Sequence, residues 1–286
     1  MHAELRKPLW LYPNLLSLDA PLVGMAWLYV FAKTWRLGYH PWEAYVAFAL
    51  LVWVVYVADR LLNASMLRST PERLEVHHEF HRRFRGMFCL GAALALVVAL
   101  LLVATRMPMT IYRHLIVGAL LLAGYFGLSM LSSHEGDDAP LMKNVLAGVA
   151  FAFGTAMTAH IYRPELSIFE MLKSREFVSF AVLCILNISA IDLWQHASRS
   201  ADLEIKASDE LALTLPLTLL GAASLMFALL DNAQSSRPFF YAILTGSALL
   251  YILNRRRADF SIDALRVLAD VALLVPVLVF LAASGE

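Results

Sequence analysis

Charge is scarce in this chain: only 16% of its 286 residues are Asp, Glu, Lys or Arg, where a soluble domain carries about 25%. Apolar residues make up 60% and mean hydropathy is +0.65, well above the roughly 45–50% apolar content of water-soluble globules. An ordinary soluble domain is excluded, and so is a disordered chain, which cannot be this apolar. Neither sign of charge is in excess, since 23 Lys and Arg balance 23 Asp and Glu. No global field draws a polyanion, so no nucleic-acid partner is expected. Cysteine is almost missing. Cys89 and Cys184 both sit inside apolar runs, where a thiol acts as a small hydrophobe and implies no disulfide framework.

What the chain has in quantity is long apolar runs broken by charged or Pro-containing segments. A hydrocarbon core ~30 Å thick needs about 20 apolar residues per helix. Nine runs meet that expectation, over residues 18–36, 42–59, 85–105, 110–131, 144–161, 177–193, 211–230, 239–253 and 262–283. The eighth is the shortest. Residues 1–17 mix Arg6, Lys7, Pro8 and Pro13 with Leu and Trp and read as an interfacial segment rather than a cleaved signal. Residues 18–286 then form a single transmembrane helical domain, all-α in class.

With the N-terminus in the cytoplasm, inside segments hold fifteen of the 23 Lys and Arg and outside segments eight, which follows the positive-inside rule. Nine spans put the C-terminus on the opposite side, in a bacterial inner membrane or its equivalent. Much of the inside bias comes from residues 60–85, where Arg60, Arg68, Arg73, Arg82, Arg83 and Arg85 flank His77, His78 and His81. That stretch reads as a solvated basic loop attracting anionic headgroups, with a metal site at His77 and His81 as the lesser reading.

The second and sixth spans end alike, in Asp59-Arg-Leu-Leu-Asn63 and Asp192-Leu-Trp-Gln-His196. Each pair is spaced i, i+4 and so shares a helix face. Both dyads fall at the cytoplasmic end of the second helix of a four-helix set. This suggests two four-helix repeats plus a ninth helix around a central cavity, with the site at the repeat interface. Ionisable groups at membrane depth are functional candidates by default, which puts Asp59 and Asp192 forward as catalytic. Oxygen ligands from Asp59, Asn63 and Asp192, with His196 as a poorer one, suit Mg²⁺ completed by substrate phosphates.

Arg60 and Lys143 are placed to bind a diphosphate, Arg through its fork and Lys as a point charge, and Arg68 is a third diphosphate candidate. Trp53, Tyr56 and Trp194 neighbour the dyads and could face a developing cation, or belong to an interfacial aromatic belt. Asp19, Asn187 and Asp202 are further polar candidates, Asp202 as an out-of-register acidic substitute near the second dyad. His114 and His160 read as helix-packing residues, with axial ligation of a tetrapyrrole as the alternative. Arg266 and Asp270, spaced i, i+4, are expected to neutralise each other.

These strings resemble the UbiA-type intramembrane prenyltransferases across essentially the whole chain. Leu16-Ser-Leu-Asp19-Ala-Pro21-Leu-Val-Gly24 is similar to that family's Leu-Arg-x-Asp-x-Pro-Ile-Gly entry. Tyr56-Val-Ala-Asp59-Arg60-Leu-Leu-Asn63 resembles its first Asp-rich motif, and Asp192-x-x-x-His196 falls where the second is expected. The resemblance implies a nine-helix bundle around a cavity open to the membrane, Mg²⁺ on a prenyl diphosphate, and transfer of the isoprenoid to an aromatic or lipid acceptor. It also shows departures. Ser17 stands for an Arg, the first motif keeps one carboxylate of three, and His196 replaces an Asp. Too few negative ligands weaken a divalent site. Two functions stay open: a divergent prenyltransferase, or a silent relative that binds a prenyl-tailed lipid, quinone or pigment, or serves as a structural subunit of a larger membrane complex.

Overall fold

The computed structural model describes residues 8–66, 80–81, 83–131, 139–163, 165, 167–231 and 235–285. Helix is the only regular secondary structure among them. Nine long helices follow one another among the described residues: α1 Asp19–Thr34, α2 Trp42–Met66, α3 Arg85–Arg106, α4 Ile111–Leu131, α5 Ala139–His160, α6 Arg175–Arg199, α7 Leu203–Leu230, α8 Arg237–Arg255 and α9 Ile262–Ser284. Arg68, His77 and His78 lie outside the described residues.

Seven of these helices are long and apolar enough to cross a membrane, or eight if the bent pair Leu9–Leu15 and Asp19–Thr34, at 79°, counts as one span. The chain is an integral membrane protein by that measure. The expectation of nine spans is not met at α8. Tyr241, Thr245, Ser247 and Tyr251 dilute its apolar content, and the helix is shielded rather than lipid-facing. It packs between α7 and α9 and against α6, burying Phe239, Phe240, Ile243 and Leu250. A helix covered by protein has no need of a lipid-compatible surface all round.

Sequence capping fixes where several helices begin. Ser174 accepts from the Phe177 N–H at the start of α6, Asp202 from Glu204 at α7 and Ser261 from Ala264 at α9, each satisfying a donor that the first turn leaves unpaired. Asp202 is thus a helix cap and not part of a metal site. The turn before α1 is made by Ser17, fully buried with φ 57°. Its hydroxyl lies 3.4 Å from His81 Nε2, and the His81 ring stacks on Phe88 at 4.2 Å.

The core brings the ends of the chain together. Trp27 of α1 stacks on Phe180 of α6 at 4.5 Å, and its indole N–H donates to the Leu273 carbonyl of α9 at 2.8 Å. Helices α5 and α6 approach closely at Gly148, where an added Cβ would stand 2.7 Å from the Ile185 backbone nitrogen. Gly148→Ala must push these helices apart. We expect a loss of about 1–3 kcal/mol, typical of overpacking, read as a lowered midpoint in thermal unfolding of the purified protein.

The two halves do not pack as equivalent four-helix sets. Helices α7 and α8 pack along their lengths, whereas α3 and α4, their counterparts in a repeat, make little contact. Helix α3 packs on α2, and α4 packs on α5. The α2–α3 pair is therefore loosely packed against α4, with Tyr125 and Asp59 bridging the two.

Candidate functional site

Side-chain contacts and a shared cavity lining bring the start of α1, α5 and α9 together with the end of α2, α4 and α6 at one end of the bundle. A cavity of ≈ 700 Å³ opens there, within the range of small-molecule sites. Its body is apolar, walled by Phe48, Leu51 and Val55 of α2, Leu115 and Leu122 of α4, and Phe151 of α5. Its polar end gathers Asp59, Arg60 and Asn63 of α2, Lys143 and Asn144 of α5, and Asp192 of α6. The two aspartates, distant in sequence, line one enclosed space.

Asp59 is held on three sides. The Tyr125 hydroxyl donates to its Oδ1 at 2.6 Å, Asn63 Nδ2 donates to its Oδ2 at 3.0 Å, and the Lys143 ammonium lies 3.9 Å from Oδ1. Lys143 also sits over the Tyr125 ring, 5.4 Å from its centroid. Asp192 accepts from Asn144 Nδ2 at 2.7 Å. Asn144 is one helical turn from Gly148, so the close approach of α5 and α6 is what brings this amide to the carboxylate. Arg199 and Arg266 also line the cavity.

A second polar group sits beside the first. Asn14 Nδ2 donates to Asp19 Oδ2 at 2.5 Å, the Ala20 N–H donates to Oδ1 at 3.0 Å, and Asp270 lies close enough to Asp19 to interact with it electrostatically. Arg60 donates to the backbone carbonyl of Asn14 and faces Asp270 electrostatically. Asp270 therefore interacts across the bundle with Asp19 and Arg60, contacts beyond the Arg266 pairing that the sequence suggested. Asn187 of α6 also lines the cavity.

Several expected site residues lie elsewhere. His196 is exposed and its Nδ1 lies 2.8 Å from Asp209 Oδ2 at the start of α7, so it is not a ligand beside Asp192. Trp53 donates to the Leu16 carbonyl at 2.9 Å and packs against Gly91. Trp194 is buried and donates to Asn254 Oδ1 at 2.9 Å. Of the three aromatics, Tyr56 alone lines the cavity. Tyr125, Asn144 and Arg199 carry no motif in the sequence, and Asp270 stood out there only as a partner of Arg266.

Among the described residues, no three of His, Cys, Asp and Glu come together to hold a metal ion. Asp59 is already occupied by a hydroxyl, an amide and an ammonium, and Asp192 by an amide. This donor set does not fit a resident Mg²⁺, which requires several oxygen ligands and little competing positive charge. Mg²⁺ alone is expected to leave the thermal midpoint of the purified protein unchanged; a saturable rise would show a metal centre.

The opposite end of the bundle holds a different cluster. His114 and His160 lie ring to ring at 5.4 Å, which leaves no space for a macrocycle between them and removes bis-histidine ligation of a tetrapyrrole. His40, between α1 and α2, has its pKa lowered from 6.5 by burial. The unfolded chain then binds the extra proton more readily, so stability present above pH 6.5 declines as pH falls below it. Thermal unfolding scanned across that range should show this decline, and His40→Asn should flatten it.

Comparison of the chain with protein-family models, curated proteins and solved structures finds no match.

Proposed function

We propose that this protein is a UbiA-like integral membrane prenyltransferase that binds a prenyl diphosphate through cationic side chains. The observation that carries the reading is a single amphipathic cavity in which Asp59, Lys143 and Asp192 meet at one end of an apolar chamber. Isoprenoid diphosphates have that same polarity. The diphosphate lies at the Lys143 end of the cavity that Arg199 and Arg266 also line, and the tail runs along Phe48, Leu51 and Leu115. Fixed cations facing the leaving group stabilise the charge that develops on it, and an apolar chamber keeps water from the allylic carbon. Asp59 orients Lys143 and Tyr125, and Asp192 faces the same headgroup. The loose packing between the α2–α3 pair and α4 gives the tail a path to the bilayer. The polar end belongs to the cytoplasmic face of a bacterial inner membrane or its equivalent.

A second reading, a carrier of a prenyl-tailed lipid or quinone within a larger membrane complex, is favoured by one observation. Asp59 spends its hydrogen-bonding capacity on the protein itself. The two readings separate in one assay. Protein reconstituted in lipid nanodiscs is given farnesyl diphosphate with a bacterial lipid extract as acceptor, and pyrophosphate release is followed. Release with formation of a prenylated product supports the transferase. Saturable binding without release supports the carrier, and neither binding nor release refutes both.

A further inference from the structure

The end of the bundle opposite Lys143 holds a pair of polar side chains for which a prenyl diphosphate has no use. His114 lies near the start of α4 and His160 is the last residue of α5, and they are only 3% and 4% exposed. Their ring centroids are 5.4 Å apart, with the planes tilted by 55°. His114 Nδ1 faces the Thr110 carbonyl at 2.9 Å. A carbonyl only accepts, so Nδ1 carries the proton and Nε2 of the neutral ring presents a lone pair. That Nε2 is buried, and no described residue hydrogen-bonds it; the hydroxyl of Thr110, one turn earlier, is buried in the same condition.

An imidazole whose Nδ1–H is fixed on a backbone carbonyl while Nε2 stays bare has the arrangement by which proteins aim a histidine at a metal ion. The position of the second ring agrees. With Zn–N bonds of ~2.0–2.1 Å and a tetrahedral angle, two imidazoles on one ion set their ring centroids roughly 5 Å apart. A direct ring-to-ring hydrogen bond would give a similar spacing, and the bare Nε2 of His114 rules that out. Imidazole nitrogen suits Zn²⁺, Ni²⁺ or Cu²⁺, whereas Mg²⁺ prefers oxygen. Both histidines stand at helix ends, where terminal turns fray, so an ion can enter from the end of the bundle.

We propose that His114 and His160 form a two-histidine site for a late first-row transition-metal ion such as Zn²⁺. No third His, Cys, Asp or Glu joins them among the described residues, so the remaining coordination positions are open to water and the site is an open one. The ion ties the start of α4 to the end of α5, the helix on which α4 packs. It acts as a clip at the end of the bundle. The site takes nothing from the transferase chemistry and stands whether or not the protein moves a prenyl group.

The test uses full-length protein in nanodiscs, with any affinity tag removed, at about pH 7.5, where imidazole is neutral. Zinc chloride is titrated in, and the heat of binding and the thermal midpoint are followed. Zn²⁺ is expected to bind saturably and to raise the midpoint, EDTA to reverse the rise, and Mg²⁺ to do neither. His114→Asn keeps an amide donor for the Thr110 carbonyl and deletes Nε2, so it folds with the metal-free midpoint retained and remains informative if His160→Ala does not fold. Each of the two variants should weaken Zn²⁺ binding at least about tenfold and abolish the rise in midpoint, while His196→Ala changes neither. No saturable Zn²⁺ binding by the unaltered protein, or undiminished binding in His114→Asn, would overturn the proposal and, in the second case, place the ion elsewhere. Absence of pyrophosphate release with Zn²⁺ binding intact would sink the transferase reading and leave this site standing.

Discussion

Lys143→Met is expected to lower turnover of farnesyl diphosphate about a hundredfold, the scale observed when one fixed electrostatic donor is removed from a reacting centre. Lys143 and Asp59 are each about a quarter exposed, at 24% and 23% of their side-chain surface, so the ammonium faces the cavity rather than bulk water. Methionine keeps the length and apolar stem of lysine. Asp59 retains its hydrogen bonds from Tyr125 and Asn63, so the fold persists and the loss is one of chemistry. Steady-state pyrophosphate release, with gel filtration as a control for folding, checks this. A loss smaller than threefold contradicts the role given to Lys143.

Asp192→Ala and His196→Ala should part company, although the two residues were read from sequence as one dyad. Asp192 lines the cavity, and its replacement is expected to reduce turnover by a similar factor of about a hundred. The stability cost is small, on the order of 1 kcal/mol, the scale of a side-chain hydrogen bond such as the partly buried one from Asn144. His196 pairs with Asp209 outside the cavity, so His196→Ala leaves turnover unchanged. Parallel kinetics on the two variants decide the matter. Equal losses would restore the dyad.

The helices were legible in the apolar runs because lipid sets a minimum length of apolar chain, and the run boundaries report membrane depth. They do not report where a helix stops. Helix α7 begins at Leu203, well before the run at 211, because its polar first turns are anchored by Arg255 and Arg257 on Glu210 and by His196 on Asp209. The same limit made α8, foreseen as the run 239–253, read as a membrane span, although its apolar residues face protein. The expected repeat rested on two similar helix ends, and packing between α3 and α4 does not follow it.

Within the site, the pairing of Asp59 with Asp192 was legible because both interrupt apolar spans. The aromatics were assigned by proximity in sequence, which is a poor guide on a helix. At about 100° per residue, Tyr56 lies only about 60° around α2 from Asp59, whereas Trp53 lies about 120° away and Trp194 is on nearly the far side of α6 from Asp192. That angular argument separates the residue that lines the cavity from the two that do not. Tyr125 and Asn144 had no such signal, and Asp270 had the signal but was assigned to Arg266 on its own helix. Their roles follow from which helices become neighbours, and spacing along the chain does not encode that.

The central claim is that Asp59 and Asp192 wall a single membrane-embedded chamber built for an anionic head on an isoprenoid tail. An electron cryomicroscopy structure in lipid nanodiscs with farnesyl thiodiphosphate, a slowly reacting analogue, tests it most directly. The account predicts diphosphate density beside Lys143, between the two aspartates, with the farnesyl chain along Phe48 and Leu115. Density bound elsewhere while this chamber stays empty, or aspartates that point to separate lipid-facing surfaces, would contradict it.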